Sequence, residues 1–320
     1  MRAIMAARTG SPDVLELVEL PTPAPGPGEL RIAVDVVNVT WMDTAIRAGN
    51  GPTVFAVAPP YVPGSGIAGT VEALGTDVDP AWLGARVLAR AGTGYGGGYA
   101  DTVVTPAAGV YRVPEGLDLR SALAVMDDGS TALALLEATP VRAGERVLVV
   151  PGVGGLGNLL VQLLLRAGAD VVAGVRGAAK VATARRLGAG AVDYSHPEWP
   201  DQVRALNAGH GLDVVFDGIG GSVGATAAEL LVDGGRFSGY GMSSGAEAEI
   251  AADRPLSVVG MSQLPGFWAD TDRRVRHVLD EAAAGRLAPI IGRTYPLADA
   301  AAAHADIEAR QFVGKSLLLV

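Results

Sequence analysis

A glycine-rich turn follows a short apolar run near the middle of the chain. Residues 147–150 read Val-Leu-Val-Val, and a G-x-G-x-x-G pattern comes next, at the start of an apolar segment with helical spacing. Glycines with this spacing let the backbone approach a pyrophosphate, which meets the free N–H groups and the positive dipole end of the helix. The pattern predicts a dinucleotide phosphate site, although a chain with 44 glycines also matches it by chance more easily. The turn residues are Gly152, Gly154, Gly155, Leu156 and Gly157.

Two cations follow the next apolar run. Arg176 comes directly after it and Lys180 four residues later, whereas no carboxylate lies between Asp170 and Asp193. An acidic residue in this region would accept a hydrogen bond from the ribose 2′-hydroxyl of NAD, whereas an arginine fork and a lysine suit the 2′-phosphate of NADPH. The residue types therefore predict NADPH as the cofactor. The alternative is that both cations are solvated surface charges.

Composition excludes several classes of site and partner. The chain has no cysteine, so no disulfide or thiolate ligand is possible. Its formal net charge of −9 argues against nucleic acid or an anionic membrane as a main partner. The uncharged stretch 147–165 contains a proline and four glycines, and these favour a buried strand, turn and helix over a membrane span. We expect a soluble, cytoplasmic protein with no metal site.

The elements around these residues change character along the chain. The first third alternates apolar and polar residues between Gly/Pro-rich turns, as in Leu15–Leu20, and predicts β-structure. From residue 121 to 239, apolar runs alternate with helical segments, which is typical of a parallel sheet. The fold class predicted is α/β, with a Rossmann doubly wound domain (121–263) inserted in a β-rich domain formed by 1–120 and 264–320.

Short motifs along nearly the whole chain resemble the zinc-independent quinone oxidoreductases of the medium-chain dehydrogenase/reductase superfamily. The matching segments are Asp43–Gly49 (D-x-x-x-R-x-G), Pro63–Gly69, Gly98–Ala100, Gly129–Ala132, Leu187–Ala189, Asp217–Gly221, Gly234–Arg236 and Gly314–Lys315. The resemblance implies that the β-rich domain is GroES-like and catalytic, and that the protein is a homodimer. It also implies that Lys180 and Tyr194 hold the 2′-phosphate. The other cofactor contacts that it suggests are Gly218, the loop residues Gly241, Met242 and Ser243 over the nicotinamide, and Lys315 near the cleft.

The chain departs from the family pattern at three places. Gly66 replaces the acidic residue of the Pro63–Gly69 turn, and Thr40 stands where the family has asparagine, while Asn38 lies two residues earlier. Asp127 and Asp128 occupy a segment that the family keeps apolar. We interpret this pair as the N-cap of the following helix. The other interpretation is that Asp128 positions the substrate or donates a proton.

The implied reaction is hydride transfer from the nicotinamide to a quinone or an α,β-unsaturated carbonyl. Without zinc, a hydroxyl or amide must stabilise the developing negative charge, and Thr40 is the first candidate. Asp43 would orient it or only fix the loop by hydrogen bonds. Several aromatic residues are candidates to line the cleft: Trp41, Tyr61, Tyr95 and the pair Phe267–Trp268.

Two alternative functions remain open. One is an enoyl reductase of a biosynthetic pathway, which differs in substrate rather than chemistry. The other is an NADPH-binding protein with little turnover, such as a sensor, a structural protein or a redox-neutral cyclase. An acyl-carrier partner would need a basic patch, and we interpret the only cluster, at residues 273–276, as a solvated helix face.

Overall fold

The computed structural model describes residues 1–92, 96–260, 269–310 and 312–320. The chain forms two compact units. The central unit comprises residues 128–274, and the terminal unit comprises residues 1–127 together with 275–320. Both boundaries fall within helices, α2 (Leu119–Ala138) and α7 (Thr271–Ala283). Among the described helices, none combines the length and apolar character needed to cross a membrane.

The central unit is built on a six-stranded parallel sheet. Its strands are β8 (Arg146–Val150), β9 (Asp170–Val175), β10 (Gly190–Asp193), β11 (Leu212–Asp217), β12 (Leu231–Gly239) and β13 (Ser257–Val259). Its helices are α3 (Gly155–Arg166), α4 (Ala178–Arg186), α5 (Trp199–Leu206) and α6 (Gly221–Glu229). Strand β8 is apolar and buried from Val147 to Val150, as expected of a parallel strand covered by helices on both faces.

The strand order in this sheet is β10-β9-β8-β11-β12-β13. From β8 the chain adds β9 and β10 towards one edge of the sheet. It then returns to the other side of β8 and adds β11, β12 and β13 towards the opposite edge, so the winding direction changes between β8 and β11. This is the doubly wound Rossmann order, in which ligands bind beyond the carboxyl ends of the strands at the reversal. The predicted α/β class and its Rossmann component are confirmed.

The terminal unit contains a seven-stranded sheet and a separate two-stranded ribbon. The ribbon is β1 (Arg2–Ala6) with β2 (Leu15–Glu19). The large sheet contains β3 (Glu29–Val39), β4 (Gly66–Leu74), β5 (Arg86–Arg90), β6 (Thr102–Pro106), β7 (Tyr111–Arg112), β14 (Ile291–Pro296) and β15 (Lys315–Leu319). Strand β3 pairs with β4, β6 and β15, and its buried Leu30, Ile32 and Val37 join the core. Two helices, α1 (Trp41–Arg47) and α8 (Ala300–Glu308), complete the unit.

Two local expectations are wrong. Asp127 and Asp128 do not cap a helix, because α2 runs without a break from Leu119 to Ala138 and contains both. The turn expected at Pro63–Gly69 ends early, because β4 begins at Gly66. The glycine at 69 belongs to the strand for steric reasons, since a Cβ there would overlap the carbonyl oxygen of Ala33 on β3.

Candidate functional site

The glycine turn after β8 is closely packed at its two outer glycines. The N–H of Gly152 donates to the carbonyl of Gly174 at 2.9 Å, and a Cβ at residue 152 would lie 2.5 Å from the Cβ of Ala173. A Cβ at Gly157 would overlap the carbonyl oxygen of Pro151. Both glycines are therefore required by the close approach of the turn to β9 and of α3 to the turn.

Gly154 is different, because its side-chain position is open. Only Pro151 Cγ, at 3.9 Å, comes within 4 Å of a Cβ placed there. Gly154 is the N-cap of α3, and the first helical bond runs from the Asn158 N–H to its carbonyl at 3.1 Å. The N–H groups of residues 155–157 precede that bond and point out of the helix. This arrangement leaves space and donors for an anion, as a dinucleotide phosphate requires.

Asn158 holds the turn in this conformation, and the sequence analysis missed it. Its buried side-chain amide donates to the carbonyls of Gly154 at 2.8 Å and Gly155 at 2.6 Å. These two hydrogen bonds fix the carbonyl groups of Gly154 and Gly155 at the start of α3. An asparagine one residue after the last glycine of the motif was the available signal.

The predicted phosphate-binding cations lie beyond the carboxyl ends of β9 and β10. Arg176 is exposed directly after β9, and Lys180 is half-buried in the first turn of α4. Tyr194 follows β10, and its N–H donates to the carbonyl of Val175 at 2.9 Å. The fold thus brings the three residues to one edge of the sheet.

A carboxylate that was not predicted as a site residue shares this edge. Asp193 accepts hydrogen bonds from the Gly177 N–H at 2.8 Å and from the Ser195 N–H and hydroxyl at 3.0 and 2.6 Å. Partial burial acts to raise the pKa of Asp193, but these bonds and the nearby His196 hold it below its usual range. Asp193 therefore fixes the start of α4 as an anion.

The loop after β12 lies against the loop after β11. The Gly218 N–H donates to the carbonyl of Val150 at 2.7 Å, and the Ser243 N–H donates to the carbonyl of Gly218 at 3.3 Å. A Cβ at Gly218 would be 2.5 Å from the ring of Tyr240. The predicted cofactor residues Gly218, Gly241, Met242 and Ser243 therefore lie in two loops that contact each other, and Gly218 also bonds to the last residue of β8.

Asp217 fixes the backbone of the loop between β11 and α6. Its carboxylate accepts from the N–H groups of Ile219 at 2.8 Å and Gly220 at 3.1 Å, at the start of α6. Burial raises the pKa of Asp217 despite these bonds. Burial also raises the pKa of the Tyr240 phenol, with the charges of Asp217 and Asp128 adding to the effect.

In the terminal unit, Thr40 and Asp43 form a reciprocal cap on α1. The Thr40 hydroxyl donates to Asp43 Oδ2 at 2.8 Å and accepts from the Asp43 N–H at 3.2 Å, while the Thr40 N–H donates to the same carboxylate at 2.7 Å. The single proton of the Thr40 hydroxyl is therefore used within the chain. This geometry favours the local structural role for Asp43 that the sequence left open.

Asp43 is also electrostatically unusual. Only 2% of it is exposed, and its Oδ1 has no hydrogen-bond partner in the described part of the chain. Burial raises the pKa of Asp43 to about 6, against the hydrogen bonds of Thr40 and the attraction of Lys315, while the charge of Asp127 raises it further. Lys315 is buried at the start of β15, and its positive charge acts to lower the pKa of Asp43.

The two adjacent aspartates of α2 have different surroundings. Asp127 Oδ1 accepts from Arg90 Nη2 at 2.6 Å and Nε at 3.1 Å, forming an ion pair between α2 and β5. Asp128 belongs to the central unit and is half-buried. The ion pair gives Asp127 a structural role that neither sequence-based interpretation included.

Asn38 and Gly66 face each other on neighbouring strands of the terminal unit. Asn38 is 1% exposed, and neither its Oδ1 nor its Nδ2 has a hydrogen-bond partner among the described residues. A Cβ at Gly66 would lie 2.7 Å from Asn38 Nδ2 and 3.1 Å from Asp127 Oδ2. The sequence showed Gly66 as a departure from the family pattern and Asn38 two residues before Thr40, but it could not show that Asn38 and Gly66 meet.

The remaining predicted residues have mixed outcomes. Tyr61 is buried, and this burial is the main reason that its pKa is raised to about 12. Trp41 is 37% exposed. Tyr95 and Phe267–Trp268 lie outside the described residues. The interpretation of residues 273–276 as a solvated face is wrong for Arg274, which is buried and bonds to Glu137 at 2.9 Å. Within the described ranges, no group of three or more His, Cys, Asp or Glu side chains could hold a metal ion.

Comparison with known proteins identifies the family. The model of the alcohol dehydrogenase GroES-like domain matches residues 26–115, and that of the zinc-binding dehydrogenase matches residues 187–318. A 2-haloacrylate reductase from a Burkholderia species is 32% identical over 99% of both chains, and a quinone oxidoreductase from Pseudomonas aeruginosa is 31% identical over 99% of both. The chain belongs to the quinone oxidoreductase-like family of the medium-chain dehydrogenases/reductases.

The similarity to known structures extends over the whole chain. The Escherichia coli quinone oxidoreductase complexed with NADPH has a TM-score of 0.90 to this chain, with 25% identity and all of both chains covered. The match to the GroES-like family model confirms the second component of the predicted fold class.

Proposed function

We propose that this protein is an NADPH-dependent oxidoreductase that reduces a quinone or an α,β-unsaturated carbonyl without zinc. The observation that carries the proposal is the start of α3, where Gly154 leaves open space beside outward-pointing N–H groups. The relatives support the same chemistry, because one is named a quinone oxidoreductase, another a 2-haloacrylate reductase, and a structural neighbour is an NADPH complex.

NADPH is preferred over NADH in this proposal because of the residues beyond β9 and β10. The residues present fit the cofactor, since Gly154 leaves open space beside the outward-pointing N–H groups of Gly155, Leu156 and Gly157, while Gly152 allows the close turn before them. Arg176 and Lys180 supply positive charge for a 2′-phosphate, and Tyr194 lies at the same edge. Gly218, Gly241, Met242, Ser243 and Lys315 would complete the binding surface. When bound, NADPH supplies a hydride from its nicotinamide ring.

The chain must also manage one proton, because a reduced quinone or enone gains a hydride and a proton. Asp43 can hold a proton near neutral pH, since burial raises its pKa to about 6 and its Oδ1 makes no hydrogen bond within the described chain. Thr40 orients the Asp43 carboxyl through the cap. Asp128 stays a candidate for positioning the substrate.

Zinc has no role in this proposal for a chemical reason. The catalytic and structural zinc sites of dehydrogenases use cysteine thiolates, and this chain contains none. One family model carries the description of a zinc-binding dehydrogenase, so metal analysis of the purified protein is a direct check.

The deciding experiment is oxidation of NADPH against a panel of small quinones and enones, with NADH in parallel. We expect turnover with NADPH well above that with NADH. The best acceptor would separate quinone reduction from enoyl reduction. Tight NADPH binding with no turnover on any acceptor would reject the reductase and favour a sensor, structural or redox-neutral role.

A further inference from the structure

An open cavity in the terminal unit is lined by residues of α7, of β7 and of the short helical turn Pro80–Trp82. Its volume is about 420 Å³, within the range of roughly 300–1,000 Å³ that is typical of small-molecule sites. Part of its wall is apolar and is formed by Val110, Pro114 and Leu279. All of its lining residues belong to the terminal unit, so the cavity is a property of one compact unit.

Two arginines line this cavity, and each lies over an aromatic ring. The guanidinium carbon of Arg112 is 4.4 Å from the centroid of the Trp82 ring, and that of Arg276 is 5.8 Å from the centroid of Tyr111. Both separations are within the reach of about 6 Å of a cation–π interaction. Arg112 also donates to the carbonyl of Ala81 at 2.7 Å. These contacts restrict both guanidinium groups before a ligand arrives, which lowers the entropy cost of binding one.

The charges of the two cavity arginines are not cancelled by an ion pair. Neither guanidinium pairs with a carboxylate anywhere in the part of the chain that the structure describes. By contrast, Arg293 lies over the ring of Tyr295 in the same unit and pairs with Asp306. A ring attracts a cation but leaves its net charge in place, whereas a carboxylate neutralises it. The cavity therefore keeps two positive charges.

One negative charge, that of Asp280, also lines the cavity. Asp280 lies four residues after Arg276 in α7, so the two share a helix face, and both are exposed. In this solvated position Asp280 weakens the positive charge of the cavity without cancelling it. The formal net charge of −9 opposes an anion only at long range, because physiological salt screens charges beyond about 8 Å.

We propose that this cavity binds a small organic anion, with its phosphate or carboxylate group held by Arg112 and Arg276. The donors of a guanidinium group match the oxygens of either anion and form charge-assisted hydrogen bonds with them. The apolar wall around Leu279 and the volume of the cavity favour an anion with a carbon body over inorganic phosphate. The inference goes beyond the proposed function, since no lining residue of this cavity is assigned to NADPH or to the acceptor.

The first test uses three probes that carry different groups on the same ring system: 1-naphthyl phosphate, 1-naphthoate and neutral 1-naphthol. Isothermal titration calorimetry measures their Kd for the full chain with NADP⁺ present in excess. We expect a Kd of about 0.1–1 mM for the anions, which is ordinary for ligands of this size. The tighter of the two anions identifies the group that the site takes. Binding of 1-naphthol as tight as that of both anions would overturn the inference.

The second test removes the two cations one at a time. Arg112→Ala and Arg276→Ala should each raise the Kd for 1-naphthyl phosphate about tenfold, because each removes a hydrogen bond to a charged group. Arg293→Ala is the matched control, since it also removes an arginine over a tyrosine ring, but one that is paired with Asp306 outside the cavity. The control should bind the probe as wild type does. Changes within about twofold for both cavity variants, with unchanged melting temperatures, would overturn the inference.

A third variant tests the sign of the electrostatic effect. Asp280→Asn removes a negative charge from the cavity with little change in shape, so it should lower the Kd for 1-naphthyl phosphate about two- to fivefold, as for an exposed charge pair. A simple loss of packing would instead raise the Kd. An unchanged or raised Kd in this variant would contradict binding of an anion beside Asp280.

The same titration keeps this inference separate from the proposed function. It needs no turnover, so probe binding that depends on Arg276 in a protein without reductase activity would support the inference and reject the proposed function. Arg176→Ala changes the predicted dinucleotide site and should leave the Kd for 1-naphthyl phosphate as in wild type. Loss of probe binding in Arg176→Ala would assign the probe to the dinucleotide site and overturn the inference.

Discussion

Asp43 combines a structural bond with an unfavourable charge. Its carboxylate caps α1, yet burial raises its pKa to about 6 from a reference of 3.8. As pH rises, the unfolded chain loses this proton first, so the free energy of unfolding falls between about pH 4 and pH 6 and is level above that. A pKa difference of one between the folded and unfolded chain corresponds to about 1.4 kcal/mol, which makes the full effect roughly 3 kcal/mol.

The substitution Asp43→Asn replaces the carboxyl by a neutral amide and so imitates its protonated form at every pH. We expect the variant to be more stable than wild type above pH 6, and the difference to shrink as the pH falls to 4. Urea unfolding at four pH values between 4.5 and 7.5 measures it, and the other titrating groups cancel because both proteins share them. A stability difference that stays constant across this range would contradict the raised pKa.

We expect Arg176 and Lys180 to determine which dinucleotide is preferred. A hydrogen bond to a charged group contributes about 1.5–3 kcal/mol, so Arg176→Ala and Lys180→Ala should each raise the Kd for NADPH about 10- to 100-fold. The Kd for NADH should change little, because it has no 2′-phosphate. Arg185→Ala, in the last turn of the same helix, is the matched control. Equal losses for both dinucleotides would mean that these side chains do not contact the 2′-phosphate.

Within the glycine motif before and in α3, one glycine is required by close packing and another leaves an open space. Gly157→Ala places a Cβ over the carbonyl oxygen of Pro151, and backbone must move to accommodate it. Overpacking of this kind costs about 1–3 kcal/mol or more, so its melting temperature should fall. Gly154→Ala meets only Pro151 Cγ at 3.9 Å, at an ordinary φ of −73°. It should keep the wild-type melting temperature and lose affinity for NADPH.

Thermal unfolding and NADPH titration of both variants test this contrast. The two results are independent, because one reports packing and the other reports ligand space. Wild-type NADPH affinity in a folded Gly154→Ala protein would show that the open side of Gly154 faces no ligand.

Elements of the central sheet were predictable because buried parallel strands read as apolar runs. The apolar run at residues 147–150 lies in β8, and the alternation of apolar runs with helical segments from residue 121 to 239 corresponds to the strands and helices of the central unit. Strand β4 escaped prediction because its glycines indicated turns, whereas Gly69 is required by a close strand neighbour. Helix α1 has only seven residues, and its signal was the capping pattern Thr40-x-x-Asp43.

The candidate site was predictable only where one motif carries it. The glycine turn and its cations follow from local spacing. The pairing of Asn38 with Gly66, and of Arg90 with Asp127, depends on strand register and on a long helix, which single-sequence patterns do not specify. The assigned roles of the site residues remain predictions.

The edge strand β13 of the central sheet indicates how two copies of the chain could assemble. Strand β13 lies at the end of the central sheet and, within the described chain, pairs with β12 alone, while its Val258 is 42% exposed. An open apolar strand edge is a template for pairing with a second chain. We therefore expect a homodimer through this edge.

Size-exclusion chromatography with light scattering measures the assembly. Wild type should have twice the chain mass of 32.5 kDa, and Val258→Glu should be monomeric at micromolar concentration. Leu83→Glu is the control, because Leu83 is an exposed apolar residue of the terminal unit. A monomeric wild type, or loss of the dimer in both variants, would contradict pairing through β13.

The buried Arg47 joins segments that are far apart in the chain. Its guanidinium bonds to the Gly10 carbonyl and to the Glu308 carboxylate, and β15 fills the place beside β3 in the large sheet. During synthesis, the ribosome releases every strand of the central sheet before it releases Glu308 or β15. The nucleotide-binding half can therefore be complete while the other half still waits for its final strand.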